Sequence, residues 1–258
     1  HPLGVPAVKI AVCIKRVADM GARFQIGADG ASVSDAGIKY DMSDFDEWAV
    51  EAALQLNEKH GGGEVTVISL GPDSAQETLR KALAMGADKA VHLKADRIPF
   101  DGFAIAEALA AELKDGGFDL VLFGRIAVDS AAGVTGAMVA ELLDMPCVTA
   151  VSKLEVSGTT GTAERQVEGG VETLSFPLPA LCTIDQGLVT QARYPSLKGI
   201  MAAKKKPMES KPAQLGAISV NVSKMELPPE RSAGRIVGEG AAAVPELIRL
   251  LQTEAKVL

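Results

Sequence analysis

The stretch EVTVISLGPDSAQETLRKALAMGADKAVHL, residues 64–93, carries a complete strand–helix–strand unit. Glu64 to Leu70 is rich in β-branched and apolar residues, with Val65, Val67, Ile68 and Leu70 separated only by Thr66 and Ser69, and reads as a strand. Gly71 and Pro72 break it. Ser74 and Glu77 then stand at the spacing of a capping box, and the helix they open stops at Gly86, a residue suited to a left-handed C-terminal position. Ala90 to Leu93 reads as the next strand. A strand, a crossover helix and a second strand make the repeating unit of a parallel sheet.

The same alternation extends in both directions. Residues 8–14 read as a buried first strand, followed by a loop and a helix over 45–59 that places Trp48, Ala52 and Leu56 on one face. Gly61 to Gly63 end that helix. Downstream, 103–113 is a helix, 120–123 a fourth strand, and about 136–143 another helix. The order β-α-β-α-β-α-β-α predicts an α/β fold, a parallel-sheet nucleotide-binding domain of the Rossmann-like, adenine-nucleotide α-hydrolase-like kind, with helices on both faces. After Pro146 the texture changes. Residues 147–156, 163–167 and 173–176 alternate or carry β-branched residues between Gly-rich turns, so they predict a small antiparallel excursion before a core-like strand at 180–184. Residues 186–210 read as loop and short helix, closing a domain of 8–210. From Lys211 the chain is Pro-rich and poor in core residues until a last helix at about 244–251. An extended C-terminal arm, 211–258, that lies on another surface is the expectation.

Bulk properties narrow the function. The 258 residues are 47% hydrophobic but only 4% aromatic, so aliphatic side chains and Ala must fill the core. The formal net charge of -7 argues against a general nucleic-acid surface. The cysteines, Cys13, Cys147 and Cys182, are scattered without a CxxC pair or a Cys/His cluster, and read as three buried thiols of a reducing cytoplasm. No apolar run approaches the roughly 20 residues of a spanning helix. The first seven residues lack the basic end and apolar centre of a secretory leader and read as lying outside the fold. A cytoplasmic location is expected.

Ligands on open parallel sheets bind beyond the carboxyl ends of the strands. Lys15 and Arg16 follow the first strand, and Gly71 and Pro72 the second. The fourth is followed by a small-residue loop running through Gly124, Arg125, Ile126, Ala127, Val128, Asp129, Ser130, Ala131, Ala132, Gly133, Val134 and Thr135 into a helix at Gly136. Small side chains leave backbone N–H groups accessible, a helix N-terminus favours an anion, and the Thr135 hydroxyl can donate to a phosphate oxygen. The loop is neither a Walker sequence nor GxGxxG, and a phosphate cradle and an ordinary tight βα turn both remain open for it.

Catalytic signals are weak. His60 ends a helix beside glycines, His92 sits within a strand as structural histidines do, and no nucleophile elbow is present. The acidic group Asp41, Asp44, Asp46 and Glu47 reads as carboxylates favoured by a helix dipole. A second informative stretch, RYPSLKGIMAAKKKP at 193–207, couples Leu197, Ile200 and Met201 to a basic run. It reads equally as a short amphipathic helix with a solvated lysine end or as an apolar docking anchor ringed by charge.

Four segments together resemble the β subunit of electron transfer flavoproteins: VCIKRV at 12–17, LGPDSAQETLRKALAMGAD at 70–88, the loop at 124–136, and RYPSLKGIM at 193–201 with its trailing lysines. The resemblance runs from about Val8 to the C-terminus. It implies an electron carrier rather than an enzyme: half of an obligate heterodimer whose α subunit holds most of one shared FAD. Such a carrier takes electrons from dehydrogenases, such as those of acyl-CoA oxidation, and passes them to a quinone oxidoreductase or a similar acceptor.

By the same resemblance the β subunit holds a structural AMP, in a pocket formed by Cys13, Ser43, Asp44, Phe45, Asp46, Leu70 and the loop from Gly124 to Thr135. Asp129 and the N–H groups through Thr135 meet the ribose-phosphate end, and Phe45 matches an aromatic near the flavin. Met20 falls where some relatives have Tyr. Leu197 matches the anchor of a dehydrogenase-recognition loop over 186–207, with Arg193, Tyr194, Ile200, Met201 and Lys205 around it. Lys205 matches a lysine methylated in some relatives, whereas Ala202 replaces another. Gly133 stands where many AMP-holding members have Asn. The Asp-Gly-Asp-Thr-Ala-Gln pattern of bifurcating members, which place a second FAD in this pocket, is missing. That second-FAD form and a stand-alone adenine-nucleotide enzyme or sensor are the alternatives. The latter lacks a lysine or Ser/Thr placed as in an ATP phosphate loop.

Overall fold

The computed structural model describes residues 7–230 and 233–258. The reading of the chain's start as lying outside the fold therefore falls mostly outside the described residues. In chain order the elements are β1 (Val8–Cys13), β2 (Arg16–Ala18), β3 (Tyr40–Met42), α1 (Asp44–Lys59), β4 (Gly63–Gly71), α2 (Ala75–Met85), β5 (Lys89–Lys94) and α3 (Gly102–Lys114). They continue with β6 (Leu120–Gly124), α4 (Thr135–Leu142), β7 (Cys147–Ser157), β8 (Thr160–Val167), β9 (Gly170–Pro177), β10 (Ala180–Ile184), α5 (Leu197–Ala203), β11 (Met208–Pro212) and α6 (Val244–Leu250).

Nine strands form one sheet in the order β11-β5-β4-β1-β6-β10-β7-β8-β9, parallel from β11 through β7. The antiparallel excursion is thus no separate sheet. β7 pairs in parallel with β10, and β8 and β9 continue the same surface outward. The central strands are mostly apolar because both their faces are covered. Ile10 and Val12 face a core formed with α1 and α2, whereas Ala11 and Cys13 face a second core formed with α3 and α4. Leu79 and Leu83 of α2 are fully buried, each contributing about 1.5–3 kcal/mol by removal from water.

Three local readings change. Ser74 has helical backbone angles and its side chain makes no capping bond, because Pro72 to Ser74 already turn into α2 through backbone bonds. Cys147 is exposed, being the first residue of β7, while Cys13 and Cys182 are buried. The chain at Lys211 does not leave the domain: β11 adds a parallel strand beside β5, and Lys211 pairs with Glu112 of α3 at 2.7 Å. His92 helps to hold this edge, with Nε2 2.9 Å from the Gly71 carbonyl and Nδ1 2.9 Å from Ser210 Oγ. Since Nε2 must donate to the carbonyl, Nδ1 accepts from the serine.

Contacts divide the chain into one compact unit ending at Lys224 and a second over Met225–Leu258. Within the first, Asp101 caps α3 by accepting from Phe103 N and Ala104 N. Its other oxygen accepts from Ser219 N (2.7 Å) and Val220 N (3.1 Å), which hold its carboxyl below the ordinary carboxylate range. The second unit contains α6, with a proline in its first turn, and two exposed ion pairs, Arg249–Glu246 and Arg235–Glu254. No helix among the described residues is long and apolar enough to cross a membrane.

Candidate functional site

β1 and β6 are neighbours at the centre of the sheet, with Cys13 beside Phe123. After β1 the chain moves through α1 to β4 on one side; after β6 it moves through α4 toward β7 on the other. The two connections part, and at such a switch point open parallel sheets offer a crevice beyond the carboxyl ends of the strands.

The start of α1 is tied into that crevice. Ser43 is fully buried with extended backbone, and its hydroxyl donates to the Ile126 carbonyl at 3.3 Å. One turn on, buried Asp46 accepts from Lys15 N at 2.7 Å with one oxygen and from Gly124 N at 3.1 Å with the other. A single carboxylate therefore bridges the ends of β1 and β6. Burial pushes its carboxyl up to about 7, although the two N–H donors favour the charged form. Gly124 is required by this approach: a Cβ there would lie 2.4 Å from Asp46 Oδ1 and 2.8 Å from Asp46 N. Gly136 plays the matching part for α4, where a Cβ would meet Thr183 Cγ2 at 2.9 Å.

Charges rim the crevice in pairs. Lys15 Nζ lies 2.8 Å from Asp129 Oδ1, and Arg125 Nη1 lies 3.0 Å from Asp185 Oδ2. The Arg125 guanidinium is 5.6 Å from the centre of the Phe45 ring, which meets Trp48 edge-on at 4.9 Å. The loop beyond is wound tightly, Ser130 N and Ala131 N both donating to the Ala127 carbonyl. Ala131 (φ 49°) and Gly133 (φ 65°) take the left-handed conformation. Residues 129–134 are exposed, and α4 begins at Thr135 without a side-chain cap on its first N–H groups. A phosphate is the kind of group such a start accepts.

The structure brings together Cys13, Ser43, Phe45, Asp46, Gly124, Arg125, Ile126 and Asp129. Asp44 points to solvent in the first turn of α1, and the Leu70 side chain belongs to the second core. Burial raises the Cys13 thiol, which stays protonated. Two cavities, of about 350 and 210 Å³, lie elsewhere, one beside α3 and β11, the other beside Trp48 and residues 190–195.

The residues singled out around Leu197 form a different surface. Tyr194, Leu197, Ile200, Met201 and Lys205 are exposed. Arg193 faces inward: its Nε and Nη2 hold the two oxygens of buried Glu51 at 2.8 and 2.9 Å, and its Nη1 meets Glu58 at 2.6 Å. Glu51, Arg80 and Asp101 were not among the expected site residues, and Lys206 was read only as part of the basic run after Met201. Glu51 carried a signal, a charge set inside the apolar helical run Ala49 to Ala53.

A family model described as "Electron transfer flavoprotein domain" matches residues 31–215. The fold and crevice thus belong to a protein of the electron transfer flavoprotein class. Bacillus subtilis electron transfer flavoprotein subunit beta is 41% identical over 96% of this chain and 98% of its own length. The Bradyrhizobium diazoefficiens subunit is 38% identical, covering 97% of this chain and all (100%) of its own length. The human one is 39% identical over 88% and 91%. The chain belongs to the electron transfer flavoprotein β-subunit family, an electron-carrier subunit rather than an enzyme.

Proposed function

We propose that this chain pairs with an electron transfer flavoprotein α subunit, holds AMP in the crevice at the ends of β1 and β6, and supplies the docking surface for dehydrogenases. The observation that supports it best is the Asp46 bridge, which fixes the start of α1, the end of β1 and the small-residue loop around one crevice. The nucleotide's phosphate would lie at the start of α4, where uncapped N–H groups and the Thr135 hydroxyl can donate. Lys15 neutralises Asp129 at the rim, so that carboxylate can meet a ribose hydroxyl without repelling the phosphate.

The shared FAD, held mainly by the α subunit, supplies the electron chemistry when bound. This chain contributes Phe45, kept in place by Trp48 and Arg125, as an apolar wall near it. Electrons come from dehydrogenases, such as those of acyl-CoA oxidation, and leave to a quinone oxidoreductase or similar acceptor. The arm for the α subunit begins later than Lys211, which belongs to β11: the stretch Met225–Leu258 contributes it, a role favoured by exposed Leu227, Ile236, Leu247 and Ile248. The missing Asp-Gly-Asp-Thr-Ala-Gln pattern favours AMP over a second FAD. Co-expression with an α subunit tests the pairing: a stoichiometric yellow complex is expected, and two chains that separate on gel filtration without flavin would refute it. ATP hydrolysis by the purified single chain would favour a stand-alone nucleotide enzyme instead.

A further inference from the structure

Helix α5 has seven residues, too short to persist alone in water. Ser196 caps its start, its hydroxyl accepting from Gly199 N at 3.0 Å. Its inner face is made of small residues. Ala203 is buried, and a Cβ on Gly199 would lie 2.3 Å from the Ala84 carbonyl of α2. Leu197, Ile200 and Met201 therefore form the outer face at helical spacing.

The two helices cap one another. Arg80 of α2 donates through Nη1 to the Ala203 carbonyl at 2.7 Å, with the Lys206 carbonyl at 3.4 Å, closing the end of α5. In return the Lys206 ammonium donates to Leu83 O (3.1 Å), Gly86 O (3.1 Å) and Ala87 O (2.6 Å), closing the end of α2. Cations on the terminal carbonyls of a helix satisfy groups that otherwise lack partners and oppose the negative end of its dipole. The lysine run is thus divided in function: Lys204 and Lys205 stay exposed, whereas Lys206 is turned onto α2.

The geometry points to Lys206 and Arg80 as positioning residues that hold α5 preformed, with its apolar stripe outward for a partner's apolar socket. This rests on the docking role proposed above for 193–207. A preformed helix docks without first losing the freedom of its backbone, so the clamp acts on encounter with the partner and not on the flavin.

The test uses the αβ complex with its flavin, carrying Lys206→Met, Arg80→Met or Lys204→Met, and an acyl-CoA dehydrogenase with its substrate as donor. Hydrogen exchange of the 200–203 amides should rise about tenfold in the first two variants, as the loss of one charged capping contact implies, and stay unchanged in the third. KM for the dehydrogenase should rise several-fold for Lys206→Met and Arg80→Met, with kcat, flavin content and reduction by dithionite unaltered. Unchanged exchange in both variants overturns the clamp. Faster exchange with an unchanged KM overturns its positioning role. Leu197→Ala, run alongside, judges the docking role by itself: an unaltered KM there sinks that role, while the exchange data still decide the clamp.

Discussion

Replacing Asp46 by Ala removes the carboxylate that accepts from the backbone at the ends of both β1 and β6. Two backbone donors, Lys15 N and Gly124 N, lose their acceptor at 2.7 and 3.1 Å. An N–H left without a partner in a dry site costs about 1–3 kcal/mol, so the pair puts the loss at roughly 2–6 kcal/mol. Release of a carboxyl that resists burial offsets part of it at high pH. The loss therefore depends on pH, and its sign can be worked out. Burial lifts this carboxyl from 3.8 to about 7, so between those values the folded chain keeps a proton that the unfolded chain has released. The stabilisation is present below about pH 4 and is lost as pH rises through 7, by at most about 4 kcal/mol. Urea unfolding of the αβ complex at pH 5 and pH 8 reads both effects. Asp46→Ala should lower the midpoint at each pH and abolish the fall between them in the parent complex, and it should release AMP on gel filtration. A variant within about 0.5 kcal/mol of the parent that retains its nucleotide would refute the bridge.

Gly124→Ala tests the same place by volume: a Cβ 2.4 Å from Asp46 Oδ1 forces α1 back, at about 1–3 kcal/mol, and calorimetry should show a lowered Tm and weaker AMP retention. Leu197, 79% exposed, should bury on a partner, so Leu197→Ala should cost about 1–2 kcal/mol, roughly five- to thirtyfold in kcat/KM for the dehydrogenase, at unchanged flavin content. Asp101→Ala should speed hydrogen exchange at Ser219 and Val220. In the parent chain, whose Asp101 carboxyl is held low first by Ser219 N, that protection should persist above the ordinary aspartate range and fail as pH drops through the lowered value.

Much of the sheet was legible because its signals are local. β4 and β10 are mostly apolar, β-branched stretches bounded by turn residues, and α1 and α3 begin and end within a residue or two of the expected positions. β11 was not legible: Met-Glu-Ser-Lys-Pro has no strand pattern, and its pairing depends on the edge that β5 offers. β2 and β3 are three-residue strands whose register comes from their mutual pairing, with no hydrophobic alternation to announce it. The site shows the same division. The crevice followed from where parallel strands end, but on its own residues Asp46 read as an ordinary dipole-favoured acid, and only the resemblance put it in the pocket, since its bridge joins Lys15 to Gly124 from positions 31 and 78 residues away. Arg193 was placed with the docking residues through the resemblance of the segment at 193–201, while the partners that turn it inward, Glu51 and Glu58, lie 142 and 135 residues back.

The most direct test of the central claim is the identity and number of nucleotides that acid releases from the purified αβ complex, read by chromatography with mass detection. One FAD and one AMP per heterodimer are expected. Two FAD without AMP, or a β crevice that yields no adenine nucleotide, would contradict it.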